Sequence, residues 1–512
     1  MNYKMMGRFI GYILLVEAIF MIPALLIGLF YGEDRASMGF GISIFLVFVI
    51  AMFLMLLCRG SKKGFKAKEG LLCVSISWIA MSLLGCLPFY IAGEIPSYLD
   101  ALFETVSGFT TTGASILSQV EPLSKSLLYW RSFTHWLGGM GVLVFVLAVG
   151  ALGDSKNGFT MHLLRAESPG PQVGKLVPKM KKTAEILYLI YIVLTIANVI
   201  FLLLGKMPLF DALCTAFGTA GTGGFGIKND SIAGYSPYIQ NVCTIFMLLF
   251  GVNFSCYYML LLRQFYSVFR DEELRFYLGV VICSIVMITF DLRGIYDTFE
   301  ETVRHAAFQV SSIVTTTGFA TTDFDQWPSF SKAILLCLMA IGASAGSTGG
   351  GFKCARVLIV MKSLRRSVRQ AISPQKVQVV RINNHMIDEK VLLNTHAYLA
   401  AYVSILFLSF LIVSLDRHYS VITNFSAVLS CFNNIGPGLE AVGPTCHYGG
   451  YSALSKIVLI IDMLAGRLEI FPILILCSRS TWGISANRRL FRRKRHTKVE
   501  GNFDETDQPE NS

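Results

Sequence analysis

Four copies of one short pattern in this chain have the residue types to coordinate a cation. Each is a brief apolar stretch that runs into Thr or Asn and ends on glycine: Phe103–Gly113, Cys214–Gly224, Phe308–Gly318 and Ser426–Gly436. A dehydrated cation is held by inward-facing backbone carbonyls, and glycine permits the backbone angles such a filter demands. Four segments in one chain can surround a single axis. One copy of Thr-Thr-Thr-Gly reads as an ordinary helix-to-loop transition, but four at matched places between hydrophobic runs favour a filter. The second copy, Ala220-Gly-Thr-Gly-Gly224, offers two glycines. Gly224 aligns with Gly318 because each precedes phenylalanine (Phe225, Phe319), and a register one residue earlier, on Gly223, stays open.

Two further features lie inside apolar runs. Gly342, Gly346, Gly349, Gly350 and Gly351 fall within ten residues, with Ser344, Ser347 and Thr348 among them. Glycine disfavours helix by about 1 kcal/mol relative to alanine, so this run should break into two parts around a loop at mid-membrane. Glycines in a membrane helix more often serve close packing, but this cluster is too dense and polar for packing alone. Gly342-Ala-Ser344-Ala-Gly346 also fits the G-x-S-x-G nucleophile pattern, which needs a strand–turn–helix context that is not readable here. Arg467 is a charge well inside the last run. Intramembrane arginine is costly and faces an interior or an aqueous cavity, although a structural ion pair with Glu469 or Asp462 is an equally physical reading.

The elements that must position these residues are membrane helices. With 54% apolar and 15% charged residues over 512 positions, the chain belongs in a bilayer. Ten apolar runs read as spans, at about 8–31, 39–58, 71–93, 126–152, 184–205, 238–262, 276–292, 332–361, 391–415 and 454–478. Lysines 62, 63, 66 and 68, lysines 175, 179, 181 and 182, and Arg365, Arg366, Arg369 and Lys376 mark cytoplasmic loops. Both termini then lie inside and all four Gly-terminated segments fall on the outer side. The net charge of +11 is on this reading a topology signal rather than a mark of nucleic-acid binding. The predicted fold is an all-α polytopic membrane protein: four pseudo-repeats of helix, pore loop and helix around one central pore, plus an N-terminal two-helix hairpin. Its predicted divisions are 1–70 (hairpin and basic loop), 71–183, 184–275, 276–390 and 391–486 (pore repeats 1 to 4) and 487–512 (polar tail). The twelve cysteines and eight histidines show no metal-ligand spacing, and the chain carries no P-loop or Rossmann fingerprint, so an enzyme is not expected.

Ser107–Ser115, Gly342–Lys353, Asn433–Leu439 and Asp462–Ile470 together resemble the TrkH family, within the superfamily that also holds KtrB and the plant HKT transporters. The resemblance covers nearly the whole chain, and no filter position departs from it. It implies potassium uptake across the bacterial inner membrane, with K⁺ held by backbone carbonyls of Thr111, Thr112, Thr222, Gly223, Thr316, Thr317, Asn434 and Ile435 and with filter glycines Gly113, Gly224, Gly318 and Gly436. Glycine at 113 implies K⁺ rather than Na⁺, since superfamily members with serine there tend to favour Na⁺. The resemblance makes Gly342–Gly351 an intramembrane gating loop and places Arg467 in the pore below the filter as a barrier to cations. It further implies a homodimer in membrane lipid, each protomer with its own pore, docked on a cytoplasmic ring of TrkA-type subunits that bind ATP, ADP or NAD(H). This chain would bind no cofactor apart from the transported K⁺. The alternatives are an H⁺- or Na⁺-coupled K⁺ symporter on the same scaffold, for which Glu104 and Asp462 are the carboxylates to check, and more distantly a membrane hydrolase using Ser344.

Overall fold

A computed structural model of the chain describes residues 2–60, 67–139, 141, 180–376 and 378–478. The inner part of the fourth expected span, the lysines at 62, 63, 66, 175 and 179 and the polar tail lie outside the described residues. In chain order the helices are α1 (Tyr3–Tyr31), α2 (Asp34–Leu57), α3 (Ala67–Gly85), α4 (Leu87–Ala92), α5 (Tyr98–Phe109), α6 (Lys125–Gly139), α7 (Met180–Leu204), α8 (Leu209–Gly221) and α9 (Pro237–Phe250). They continue with α10 (Phe254–Leu261), α11 (Phe265–Arg270), α12 (Glu272–Asp291), α13 (Phe299–Val314), α14 (Ser329–Ile341) and α15 (Cys354–Ile372). After a two-residue hairpin, β1 (Arg381–Ile382) with β2 (His385–Met386), come α16 (Glu389–Val413), α17 (Val421–Asn433), α18 (Ala453–Arg467) and α19 (Phe471–Cys477).

Among the described residues, six helices are long and apolar enough to cross a bilayer. The chain is a multi-pass, predominantly helical membrane protein. The α1–α2 hairpin packs against α3, α4 and α6, so it is an addition on one flank of the molecule. Four short helices, α5, α8, α13 and α17, each follow a long apolar stretch (α3 with α4, α7, α12 and α16) and precede a second helix (α6, α9, α14 and α18). Local chemistry explains their starts: the hydroxyls of Ser97, Thr298 and Ser420 accept from Asp100, Glu301 and Thr423 backbone N–H groups, and Pro208 opens the fourth case. Acidic residues in three first turns, Asp100, Asp211 and Glu300 with Glu301, complement the positive end of the helix dipole.

The second helices correct two expectations. The run at 238–262 is not one span but α9 and α10, bent by 88°. Gly251 ends α9 where a Cβ would meet the Tyr277 hydroxyl at 2.6 Å, and Asn253 caps α10 by accepting from Ser255 N–H at 2.9 Å. The run at 454–478 is likewise divided, because Glu469 and Ile470 both take positive φ (63° and 61°) between α18 and α19. With the expected break after α14, the second helices of repeats 2, 3 and 4 run only 14, 13 and 15 residues. At about 1.5 Å per residue that is some 20 Å, short of a hydrocarbon core of roughly 30 Å. Three second helices therefore stop inside the membrane.

Candidate functional site

The four short helices end in one and the same cap. Thr111, Thr222, Thr316 and Asn434 are left-handed, with φ of 55°, 55°, 58° and 56°. In each case the N–H of the next residue reaches back five positions: Thr112 to Ser107, Gly223 to Gly218, Thr317 to Ser312 and Ile435 to Ser430, at 2.9, 2.9, 2.8 and 3.0 Å. This is the Schellman pattern, in which a left-handed residue lets the last helical carbonyls find donors. Glycine normally fills that position; three threonines, whose branched side chains disfavour it, are an investment of roughly 1–3 kcal/mol each that clusters at functional sites. The third residue of every segment is a glycine of positive φ, with Gly113 at 79°, Gly224 at 74°, Gly318 at 84° and Gly436 at 101°. The backbone thus aligns Gly224, not Gly223, with the other three.

Those glycines also show how the segments meet. A Cβ added to Gly113 would fall on the Gly223 carbonyl oxygen, one on Gly224 on that of Thr317, one on Gly318 on that of Ile435, and one on Gly436 on that of Thr112. Each glycine therefore abuts the middle residue of the next repeat, and the fourth closes back on the first. All twelve residues expected in the filter stand in this ring.

Polar side chains buttress the ring from behind. Thr110 and Thr315 hydroxyls each pair with the hydroxyl two residues on, Thr112 and Thr317, at 2.8 Å. Asn434 Nδ2 donates to Thr112 Oγ1 and to the Met463 carbonyl, both at 2.9 Å, and Tyr448 donates to the Gly436 carbonyl at 2.8 Å. Glu104 accepts from Ser115 Oγ and Ile116 N–H at 3.0 Å and from Arg131 Nε at 2.6 Å, so it is enclosed in a buried ion pair. Arg131 in turn donates to the Gly226 carbonyl at 2.8 Å and lies 3.6 Å over the Phe225 ring. Sequence reading left Arg131 and His135 unassigned; a charge and an imidazole inside an apolar run were the available signal.

The glycine-rich stretch is a loop between α14 and α15, lying directly against the ring. Gly350 N–H donates to Thr316 Oγ1 at 2.6 Å, and a Cβ on Gly349 would stand 2.8 Å from the Thr315 carbonyl oxygen. Ser344 N–H donates to the Gly251 carbonyl at 3.1 Å, Phe254 N–H to that of Gly346 at 3.0 Å, and Ala345 N–H to Glu273 Oε1 at 2.5 Å. Arg467 gives one guanidinium nitrogen to the Thr348 carbonyl at 2.8 Å and the other to that of Gly139 at 2.7 Å, joining the loop to the end of α6. The two carboxylates weighed against it are otherwise engaged: Glu469 pairs with Arg356, and Asp462 accepts from Ser409 at 2.7 Å. Lys353, buried and of φ 78°, reaches the Gly349 carbonyl and is a second cation at this level. A lysine two residues after the last of the glycines was the sequence signal for it. Ser344 lies between two helices, and among the described residues the only strands are β1 and β2, far along the chain, so the nucleophile motif has no strand to elevate it.

This ring and loop have counterparts in known proteins. The chain is 35% identical to the Trk system potassium uptake protein TrkH of Salmonella typhimurium over 491 residues, 94% of this chain and all of that protein. It is 34% identical to TrkH of Escherichia coli K12 over 490 residues, with the same coverage, and 32% identical to that organism's TrkG. The crystal structure of the potassium transporter TrkH from Vibrio parahaemolyticus superposes with a TM-score of 0.83 at 31% identity, covering 94% of this chain and all of that one. The family model described as TrkH, cation transport protein, matches residues 36–483, and the chain belongs to that family of transporters rather than to any family of enzymes.

Proposed function

We infer that this chain takes up potassium across the bacterial inner membrane, through a filter formed by the four capped segments and gated from below by the glycine-rich loop. The observation that carries this reading is the closed ring, in which every filter glycine contacts the next segment's backbone at the same position. Carbonyls of Thr111, Thr112, Thr222, Gly223, Thr316, Thr317, Asn434 and Ile435 are the ligands on this reading, and K⁺ is cargo. The C-terminal, partly negative ends of four helices point their dipoles at the same place, which favours a cation. Because the four segments differ in sequence, the carbonyl ring is uneven, and moderate preference for K⁺ over Na⁺ is expected.

The loop gates by occupying the path below the ring, where Arg467 adds a positive charge that opposes a cation. Of the two carboxylates a coupled symporter could use, Glu104 is enclosed in its pair with Arg131 and Asp462 accepts from Ser409, which favours conduction without coupling. The partner is a cytoplasmic nucleotide-binding ring of the TrkA type, carrying ATP, ADP or NAD(H), on a homodimer whose termini are both cytoplasmic. Its docking surface includes the exposed Arg365 and Arg369 near the end of α15 and Lys376 beyond it. Flux into proteoliposomes under opposed K⁺ and Na⁺ gradients, for wild type and Gly113→Ser, tests the whole. The expected result is K⁺-preferring flux whose preference falls in the variant; a folded variant with an unchanged ratio removes Gly113 from the filter.

A further inference from the structure

Repeat 2 differs from its neighbours at one filter position. The middle residue is Thr112 in repeat 1, Thr317 in repeat 3 and Ile435 in repeat 4, but Gly223 in repeat 2. Gly223 is absent from the residues of positive φ, so no backbone angle demands glycine there. Space demands it: a Cβ on Gly223 would lie within the imidazole of His135.

His135 comes from α6, in repeat 1, and is fully buried. Its Nδ1 stands 2.8 Å from the Gly108 carbonyl, in the last turn of α5, and its Nε2 accepts the N–H of Phe225, the residue after the repeat 2 filter, at 3.2 Å. A carbonyl has no proton to give, so Nδ1 carries the hydrogen, Nε2 is left to accept, and the ring is neutral. The imidazole also packs on the Phe225 ring, centroids 4.2 Å apart. In repeats 1 and 3 a hydroxyl on the middle residue bonds back to its own helix end; Gly223 has no side chain to do so.

We propose that His135 is a positioning residue for ion selection, an external brace that replaces in repeat 2 the threonine hydroxyl of repeats 1 and 3 and registers that filter strand against α5. Gly223 and His135 are then one complementary pair. The inference rests on the filter reading above.

The experiment compares His135→Ala, Gly223→Thr and the double exchange in proteoliposome K⁺/Na⁺ competition, with Gly113→Ser as control and gel-filtration profile as the measure of folding. Loss of two hydrogen bonds to the filter surroundings should lower the K⁺/Na⁺ ratio of His135→Ala by about tenfold. Gly223→Thr alone should lose flux, because the ring occupies the space of the new side chain. The double exchange restores both space and a local hydroxyl, and should recover ratio and flux above either single variant, which a generally destabilised scaffold would not. Where His135→Ala does not fold, His135→Asn, keeping the donor to Gly108 but not the acceptor for Phe225, is read in its place and should show a smaller fall. An unchanged ratio in a folded His135 variant, or wild-type flux in Gly223→Thr, overturns the proposal. If Gly113→Ser also leaves the ratio unchanged, the filter reading has failed rather than the brace.

Discussion

The four capped segments proposed as the filter and the Gly342–Gly351 loop are both irregular, glycine-rich backbone between apolar helices, but they are held differently. Each filter segment is the cap of its own helix, made by hydrogen bonds within five residues, and each glycine lies against the backbone of its neighbour. Irregular backbone survives at membrane depth only when buried in protein or lining water, and here the ring closes on itself. The loop is instead tied outward by single contacts to different elements: Gly251, Phe254, Glu273, Thr316 and Arg467. The filter should therefore fail when atoms are added and the loop when its ties are removed.

The largest effect is expected at Gly224→Ala. The new Cβ meets the Thr317 carbonyl, and a left-handed non-glycine residue adds roughly 1–3 kcal/mol of strain, so K⁺ flux or K⁺ preference should fall at least about tenfold. Normal flux and preference in this variant would show that the ring tolerates an added methyl and that the contrast drawn here is wrong.

Deleting residues within Ser344–Gly350 should raise basal K⁺ flux by about tenfold, the scale set by a barrier change near 1.4 kcal/mol. Ion preference should stay close to wild type. Wild-type basal flux together with full response to partner and nucleotide would reduce the loop to a packing kink.

Arg467→Ala removes a charge and the ties to the Thr348, Gly138 and Gly139 carbonyls at once. Charge-assisted hydrogen bonds contribute about 1.5–3 kcal/mol, part of it shared with folding, so a several-fold rise in flux is expected. Lower folded yield with flat flux per folded molecule would make the residue structural. Glu273→Ala cuts one tie and should raise basal flux about threefold, whereas Glu273→Gln keeps an acceptor oxygen for Ala345 and should not. Equal behaviour of the two Glu273 variants argues against this contact as a restraint.

The smallest effect is at Glu440, in the stretch between α17 and α18. Hydrogen bonds from Ser420 and Thr423 hold the Glu440 carboxyl below its ordinary range. A depressed carboxylate contributes stability above its unfolded value, about 4.3, and loses it as pH falls through the lowered one. Thermal unfolding of wild type should therefore weaken below about pH 4 more than that of Glu440→Gln, with the K⁺/Na⁺ ratio unchanged in both. Parallel pH profiles of stability would mean that these hydroxyl contacts do not outlast exposure to water.

Hydropathy and repetition were legible in the linear chain, because burial in lipid imposes long apolar runs and each capped segment is encoded within about ten residues. That is why the four Thr/Asn-Gly segments, the break at Gly342–Gly351 and the family resemblance could be read directly. The breaks at Gly251–Asn253 and Leu468–Ile470 carried weaker signals: one glycine two residues before an asparagine, and two left-handed residues that are not glycine at all. The choice of Gly224 over Gly223 needed backbone angles, since both are glycine and both touch the ring. Only the tertiary structure decided who braces whom. Glu104 with Arg131, His135 with Gly108 and Phe225, and Arg467 with Thr348 and Gly139 join positions from 27 to 328 residues apart. Local propensity and periodicity act over a turn or two of helix, whereas such contacts exist only after four separate segments have been brought around one axis.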